Sequence, residues 1–181
     1  VCPSYRLKTF VQFQKVAINS TLIIGEDVPN SKVKNGTSLK GLNYIKLPTS
    51  HVNFFGRILT FHKSLLFQLK KNNPEIIICE AESHLMGYLT AIIYTSCFNR
   101  DVKLIYWCFL SLPGRVYNRY SFIEIFKRNI RKLFDHFFLY HSYGKNVLLS
   151  MGIHKELITT VTNVGNTKRF NDLSKKKTPN S

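Results

Sequence analysis

Two carboxylates and an imidazole follow a short apolar run, in the stretch EIIICEAESHL from Glu75 to Leu85. A carboxylate that faces a cleft can act as a general base toward a hydroxyl group when its pKa is raised, and an imidazole can do the same. We therefore predict Glu82, His84 and Glu80 as catalytic residues. Glu82 and His84 are favoured because the first turn of a helix opens to the cleft. The alternative is that all three are solvated side chains at a helix N-terminus, where the macrodipole stabilises carboxylates.

Further polar residues come near the ends of apolar runs and are predicted to bind substrate. The planar guanidinium of Arg6 can hold a phosphate through two hydrogen bonds, and the alternative is a surface ion pair. Ser142 directly follows the run HFFLYH, and Asn163 ends the last apolar run, where its side chain can fix a loop by hydrogen bonds to the backbone. Tyr106 and Trp107 are interpreted as core residues, with stacking on a sugar as the alternative.

Continuous apolar runs, typical of strands in a parallel sheet, alternate along the chain with segments of helical periodicity. Strands are predicted in TLIIGE, NYIKLP, EIIICE, VKLIYWCFL, HFFLYH and ELITTVTNV. Helices are predicted in YRLKTFVQFQKV, from Phe54 to Lys71, in HLMGYLTAIIYTSCF, in SFIEIFKRNIRKLF and in SYGKNVLLSMGI. This alternation predicts an α/β layered domain with a mainly parallel sheet, whose ligands bind at the carboxyl ends of the strands.

The predicted helix after Ser121 is amphipathic. Its apolar side is predicted to carry Phe122, Ile123, Phe126, Ile130, Leu133 and Phe134, and its basic side Lys127, Arg128, Arg131 and Lys132. Such a helix can bind an anionic membrane surface. The alternative is an ordinary core-facing helix whose solvated face is basic.

The charge of the chain indicates an anionic partner. There are 26 Lys and Arg against 10 Asp and Glu, and no acidic residue lies between Asp27 and Glu75. The net charge of +16 would attract nucleic acid, a phospholipid surface or a nucleotide-linked substrate. The alternative to an enzyme is a non-catalytic basic module that binds an anionic membrane surface or nucleic acid. Motifs of the common nucleic-acid-binding folds are missing, so no nucleic acid partner is expected. A further alternative is that the lysines reflect codon bias and the need to keep an aromatic-rich chain in solution.

The cysteines and histidines do not form metal-binding patterns. The four cysteines include no C-x-x-C pair, and the six histidines form no cluster with them. His136 and His141 are predicted to lie on opposite faces of one strand, because their positions differ by an odd number. We therefore expect no metal site and a reducing, cytoplasmic environment.

The stretch LYHSYGKNVLLSMGIHKELITTVTNVGNTKRF runs from a strand through a short helix ending in L-x-x-x-G-I to a second strand and a polar loop. It resembles the end of the N-terminal domain in glycosyltransferases of the two-Rossmann-domain (GT-B) fold, especially family 4. CPSYR resembles the P-x-Y-R element after the first strand of some members, and NPEIIICE resembles their mid-domain strand. The resemblance covers essentially the whole chain.

The resemblance implies a Rossmann-like doubly wound domain with helices on both faces of the sheet, one half of a GT-B fold. Residues 1–163 would form the domain that binds the sugar acceptor, without its first strand, and residues 164–181 the crossover to an absent donor-binding domain. The intact enzyme would transfer a sugar from a nucleotide sugar to a glycan or lipid-linked acceptor, at the inner face of the plasma membrane. No other cofactor is implied, Tyr5 and Arg6 would bind substrate, and this chain alone would be inactive.

Overall fold

The computed structural model describes residues 7–17, 19–27, 35, 39–54, 57–80, 85–108, 110 and 122–161. Its helices are α1 (Leu7–Val16), α2 (Leu65–Asn72), α3 (Leu85–Cys97), α4 (Phe122–Arg131) and α5 (Ser142–Ser150). Its strands are β1 (Leu22–Gly25), β2 (Tyr44–Leu47), β3 (Thr49–Phe54), β4 (Arg57–His62), β5 (Ile76–Glu80), β6 (Lys103–Cys108), β7 (His136–Leu139) and β8 (Ile158–Thr160). The chain divides into two units, Val1–Ile45 with Asn163–Ser181 and Lys46–Thr162.

In the second unit, β5, β6, β7 and β8 form a parallel sheet in that order. A helix lies between each strand and the next along the chain, as parallel pairing requires. Because such crossovers are right-handed and the strand order never reverses within this sheet, α3, α4 and α5 pack on the same face. The predicted α/β class with a mainly parallel sheet is confirmed.

The main core lies between this sheet and its three crossover helices. Along β6, Leu104, Tyr106 and Cys108 are buried, whereas Ile105 and Trp107 on the opposite face are only partly buried. The helices contribute Tyr88, Ala91, Ile92, Ile130 and Leu148 to the same core. The rings of Tyr106 and Phe134 meet edge to face with centroids 4.9 Å apart. The face of β6 that carries Trp107 is therefore the less buried one.

An antiparallel hairpin, β3 and β4, precedes the parallel sheet, with Thr49 opposite His62. The predicted helix from Phe54 to Lys71 is therefore wrong over its first part, and the helical segment is α2 alone. β-branched and aromatic residues such as Ile58 and Phe61 favour a strand, and pairing with β3 overrides the helical spacing of the apolar residues. The helix then ends at Asn73, which has a left-handed φ of 41° and donates its N–H to the Leu69 carbonyl at 2.9 Å.

In the first unit, side-chain amides hold α1 to the short sheet formed by β1 and β2. Gln14 Nε2 donates to the Asn43 carbonyl at 2.8 Å, and the Asn43 N–H donates to Gln14 Oε1 at 2.9 Å. Asn43 Nδ2 also donates to the Ser20 carbonyl and to Thr21 Oγ1. Reciprocal amide contacts of this kind therefore fix a region that carries few buried side chains.

Helix α4 is amphipathic, but its two sides differ from the prediction. Arg131, expected on the basic solvent face, is buried, whereas Phe126 and Leu133, expected in the core, are 52% and 56% exposed. The Arg131 guanidinium lies 3.7 Å from Met151 Sδ and hydrogen-bonds to Tyr106. A long side chain can bury its aliphatic stem while its polar end finds such partners, so charge alone did not identify the solvent face.

Candidate functional site

The four parallel strands end at one edge of the sheet, at Glu80, Cys108, Leu139 and Thr160. Ligands of open α/β sheets bind outside this carboxyl edge. Just beyond β6, Leu110 adopts a φ of 65°, which for a non-glycine residue costs about 1–3 kcal/mol and is found most often at functional sites. The carboxyl edge is therefore the candidate position of a binding site.

Glu80 lies next to an aromatic residue at this edge. It is in register with Trp107 on β6, and Trp107 is in register with Phe138 on β7. Residues in register on neighbouring strands project from the same face, so the carboxylate, the indole and the phenyl ring form one row. All three side chains are partly buried. The row combines a hydrogen-bonding carboxylate with a flat aromatic surface.

A second aromatic contact supports the indole from Tyr140, the residue that follows β7. The rings of Trp107 and Tyr140 have centroids 5.6 Å apart and are tilted by 36°. Tyr140 is buried, so it limits the positions that the indole can take. The Trp107 ring is therefore partly fixed in position near the carboxyl edge. It is neither a fully buried core residue nor a fully exposed surface side chain.

Helix α5 begins at the same edge, with His141 as its N-cap. His141 has an extended backbone, and its Nδ1 accepts a hydrogen bond from the Gly144 N–H at 3.1 Å. Because Nδ1 is the acceptor, the neutral ring carries its hydrogen on Nε2. The predicted arrangement of His136 and His141 on one strand is wrong, since β7 ends at Leu139 and His141 belongs to the helix cap.

Ser142 is the first residue of α5 and is exposed at the carboxyl edge. Glu80 and Ser142 lie at the ends of strands separated by one intervening strand, which corresponds to roughly 10 Å between strand axes. The structure thus brings these two predicted residues to the same edge. The other predicted site residues lie outside the described residues: Tyr5, Arg6, Glu82, His84 and Asn163.

Three ionisable side chains lie between the sheet and its crossover helices: Tyr106 and Cys108 are buried and Cys79 is partly buried. Burial raises the pKa of the Cys79 thiol to about 12. Burial also raises the pKa of Tyr106, and the neighbouring Arg131 offsets only part of that effect. Cys108 is 1% exposed. Cys79 and Tyr106 therefore stay protonated at neutral pH and are poor nucleophiles, and all three side chains pack in or against the core.

The opposite, amino edge of the sheet is charged. Asp135 Oδ2 accepts a hydrogen bond from the Leu104 N–H at 2.8 Å, and Asp135 Oδ1 lies 3.6 Å from Lys103 Nζ. An open cavity of about 400 Å³ is lined here by residues that include Arg100, Leu133 and Asp135. Asp135 thus fixes the start of β6 against the start of β7, and its neighbourhood carries two cations.

The hairpin carries a histidine pair that the sequence did not single out. His51 Nδ1 lies 3.1 Å from Thr60 Oγ1, and His51 Nε2 lies 3.3 Å from Thr49 Oγ1. Burial, with a smaller contribution from the charge on His51, lowers the pKa of His62. The alternation of His and Thr along β3 and β4 was the available signal, but it becomes visible only once the two strands are paired.

Within the residues that the structure describes, no three His, Cys, Asp or Glu side chains come close enough to hold a metal ion. None of the helices in the described ranges has the length and apolar character needed to cross a membrane. Comparison with protein-family models, with curated proteins and with solved structures found no match to this chain. A functional assignment therefore depends on the residues and their geometry.

Proposed function

We propose that this chain is the domain of a GT-B glycosyltransferase that binds the sugar acceptor. The intact enzyme would transfer a sugar from a nucleotide sugar to a glycan or a lipid-linked acceptor. The observation that carries the proposal is the pairing of Glu80 with Trp107 in register at the carboxyl edge of a parallel sheet. The resemblance of the sequence to family 4 glycosyltransferases supplies the reaction.

A carboxylate beside an indole suits a sugar. One face of a pyranose ring is a set of C–H groups that can stack on an aromatic face, while its hydroxyl groups donate hydrogen bonds to a carboxylate. The partly buried indole of Trp107, held against Tyr140, offers the stacking surface, and Glu80 offers the carboxylate. Stacking of a sugar on Trp107, which is the sequence-based alternative to a core role, is therefore the preferred interpretation.

The start of α5 would complete the site. Backbone N–H groups in the first turn of a helix favour electron-rich or anionic groups, and the Ser142 hydroxyl can donate or accept a hydrogen bond. A phosphate of a lipid-linked acceptor would fit this position. Glu82, His84 and Glu80 remain our candidates for the general base, with Tyr5, Arg6 and Asn163 as candidates for substrate binding.

The finer architecture is part of the same proposal. A doubly wound, Rossmann-like half of a GT-B fold has helices on both faces of its sheet, and any on the face that carries Glu80 and Trp107 would leave the carboxyl edge open to a ligand. The nucleotide sugar would bind a second Rossmann-like domain, and this chain alone would not transfer sugar. The enzyme would work in the cytoplasm, on the inner face of the plasma membrane.

Calorimetry and the fluorescence of Trp107 test the proposal, because Trp107 is the single tryptophan of the chain. The chain is titrated with a panel of neutral oligosaccharides and with short-chain polyprenyl diphosphate sugars. We expect at least one of them to bind and to change the fluorescence. Glu80→Gln should then weaken binding by roughly tenfold to a hundredfold, since a hydrogen bond to a charged group contributes about 1.5–3 kcal/mol.

Asp101→Asn is the matched control, because it removes one negative charge from an exposed residue that precedes β6. It should bind as the parent does. Equal affinities for the parent, Glu80→Gln and Trp107→Leu would show that the row does not bind sugar. Binding of nucleotide sugars with micromolar Kd would place the donor site in this chain and contradict the domain assignment.

A further inference from the structure

Two large apolar side chains are exposed on one side of α4 and the turn that follows it. Phe126 is 52% exposed and Leu133 is 56% exposed. Asn129 lies between them at spacings of three and four residues, which places all three on one side of a helix with 3.6 residues per turn. Ile130 and Phe134 hold the other side of the segment in the core. The exposed apolar stripe is therefore a fixed feature of the packed helix.

Cations lie along one side of this stripe and at its end. Lys132 is exposed next to Leu133, and the half-buried Arg128 lies one turn before Lys132. At the end near Leu133, the cavity at the amino edge brings in Arg100. Lys103 lies at the same edge, with 65% of its side chain exposed.

One acidic group beside these cations is Asp135. It accepts the Leu104 N–H and lies 3.6 Å from Lys103 Nζ, so one of its oxygens is already used by the backbone. Asp101 is exposed nearby in the sequence. Glu75 is also exposed at this edge, where its carbonyl accepts the Lys103 N–H at 2.9 Å. Four cations thus stand against three acids, so the balance of these groups is slightly positive, and the whole chain has a net charge of +16.

We propose that the α4 surface, formed by Phe126, Asn129, Lys132 and Leu133, docks on an anionic phospholipid bilayer. Phe126 and Leu133 would enter the boundary between headgroups and acyl chains, while Lys132, Arg128 and Arg100 would contact lipid phosphates. This differs from the basic face predicted from the sequence, because Arg131 is buried and two apolar residues are exposed. The inference does not rest on the proposed sugar-binding site.

The exposed side chains of Phe126 and Leu133 favour a bilayer over nucleic acid as the partner of this surface. Nucleic acid would be attracted by the same cations, but its phosphates offer no apolar environment for Phe126 and Leu133. A bilayer satisfies both features, since interfacial helices combine Lys or Arg with Phe or Leu and a single attraction alone gives weak binding. Removal of the apolar pair should therefore weaken binding even when every charge is kept.

Flotation with vesicles of phosphatidylcholine and phosphatidylglycerol in equal parts tests this inference on the full chain. We expect the parent to bind at low salt, to be released at roughly 0.5 M salt, where charges are screened within about 3–10 Å, and to leave pure phosphatidylcholine unbound. Phe126→Ser with Leu133→Ser should lower the partition coefficient roughly tenfold to a hundredfold, given the apolar area that the bilayer would cover.

Phe67→Ser with Leu149→Ser is the matched control, because these side chains are also exposed but lie on α2 and α5. It should bind as the parent does. Equal binding by the Phe126→Ser, Leu133→Ser variant would overturn the inference, as would equal binding to neutral vesicles. If a DNA duplex instead releases the parent from the vesicles and binds the parent and the Phe126→Ser, Leu133→Ser variant equally tightly, the surface would be assigned to nucleic acid.

A spectroscopic variant keeps the test independent of how much protein floats. In a Trp107→Phe background, Leu133→Trp should give an emission that shifts to the blue and is quenched by brominated lipid. Phe67→Trp in the same background should show neither change. Absence of the shift and of the quenching in Leu133→Trp, when flotation shows binding, would mean that another surface meets the lipid.

Discussion

At the carboxyl edge of the parallel sheet, Glu80 is in register with Trp107 and the N-terminus of α5 is capped by His141. At the amino edge, Lys103 and Asp135 pair above an open cavity beside Arg100. Asp135 has a structural role that its hydrogen bond to the Leu104 N–H defines. The same four strands therefore present one carboxylate beside aromatic rings at one edge, and an ion pair with a further cation at the other.

The difference follows from the way the chain crosses over. Each crossover helix starts near the carboxyl edge and returns toward the amino edge, so helix N-termini gather at the former and C-termini at the latter. Cations near helix C-termini are stabilised by the macrodipole, whereas N-termini stabilise electron-rich groups. Matched residues at the two edges should therefore differ in reactivity and in their contribution to stability, and the following measurements test that difference.

Thiol reactivity should show the largest difference. Cys79 lies on β5 beside the carboxyl edge with a pKa raised to about 12, whereas Cys97 is exposed at the C-terminal end of α3. Because the thiolate is the reactive form, Cys97 should react with a maleimide roughly a hundredfold faster or more at neutral pH. Mass spectrometry of a Cys2→Ser variant measures both rates, and comparable rates would show that Cys79 is accessible.

The next largest difference should be in the free energy of unfolding when a leucine at either edge is replaced by alanine. Leu139 ends β7 at 0% exposure, and Leu133 is 56% exposed near the amino edge. Leu139→Ala should lower the free energy of unfolding by about 2–5 kcal/mol, while Leu133→Ala should change it by about 0.5 kcal/mol or less. Urea denaturation measures both. Similar losses would mean that Leu133 is packed in solution and would also weaken the inferred lipid contact.

Removal of the His141 cap should have a smaller effect. His141→Ala leaves the Gly144 N–H without its side-chain partner and should cost about 0.5–2 kcal/mol of unfolding free energy. His141→Asn keeps an acceptor in a favoured N-cap residue and should restore most of the loss. If both variants were equally destabilised, the ring of His141 would matter for its packing, including its contact with Tyr143, rather than as a cap.

The smallest effect should be a pH dependence that arises in the hairpin, away from both edges. The pKa of His62 is lowered from 6.5 in the folded chain, so below that pH the unfolded chain binds the proton first. Stability should therefore fall as the pH is lowered from about 7.5 to 5, and His62→Gln should reduce the slope. An unchanged slope in urea titrations at both pH values would assign the dependence to other groups.

The sequence predicted the parallel sheet well because each strand is a short apolar run bounded by polar residues, as in IIICE and LIYWC. It failed for the hairpin, since the apolar residues from Phe54 onward fit a helical spacing as well as a strand, and only pairing with β3 decides between them. The available signal was the stretch from Asn53 to Gly56, because glycine is a residue typical of turns.

The candidate site could be predicted only in part. The open-sheet rule correctly located Ser142 and Glu80 at one edge, because it depends on strand order alone. The neighbour of Glu80 could not be inferred, since the register between β5 and β6 is set by packing of the whole layer. Burial of Arg131 was also beyond the sequence, because it depends on Tyr106 and Met151 from other elements.

Chemical-shift mapping of the ¹⁵N-labelled chain with the tightest-binding oligosaccharide of the panel tests the proposed site most directly. We predict that the indole N–H signal of Trp107 and the amide signals of Glu80 and Ser142 shift in a saturable way, while those of Arg100 and Asp135 at the amino edge stay in place. Shifts confined to the amino edge, or an indole signal that no sugar of the panel moves, would contradict the assignment of the carboxyl edge as the sugar-binding site.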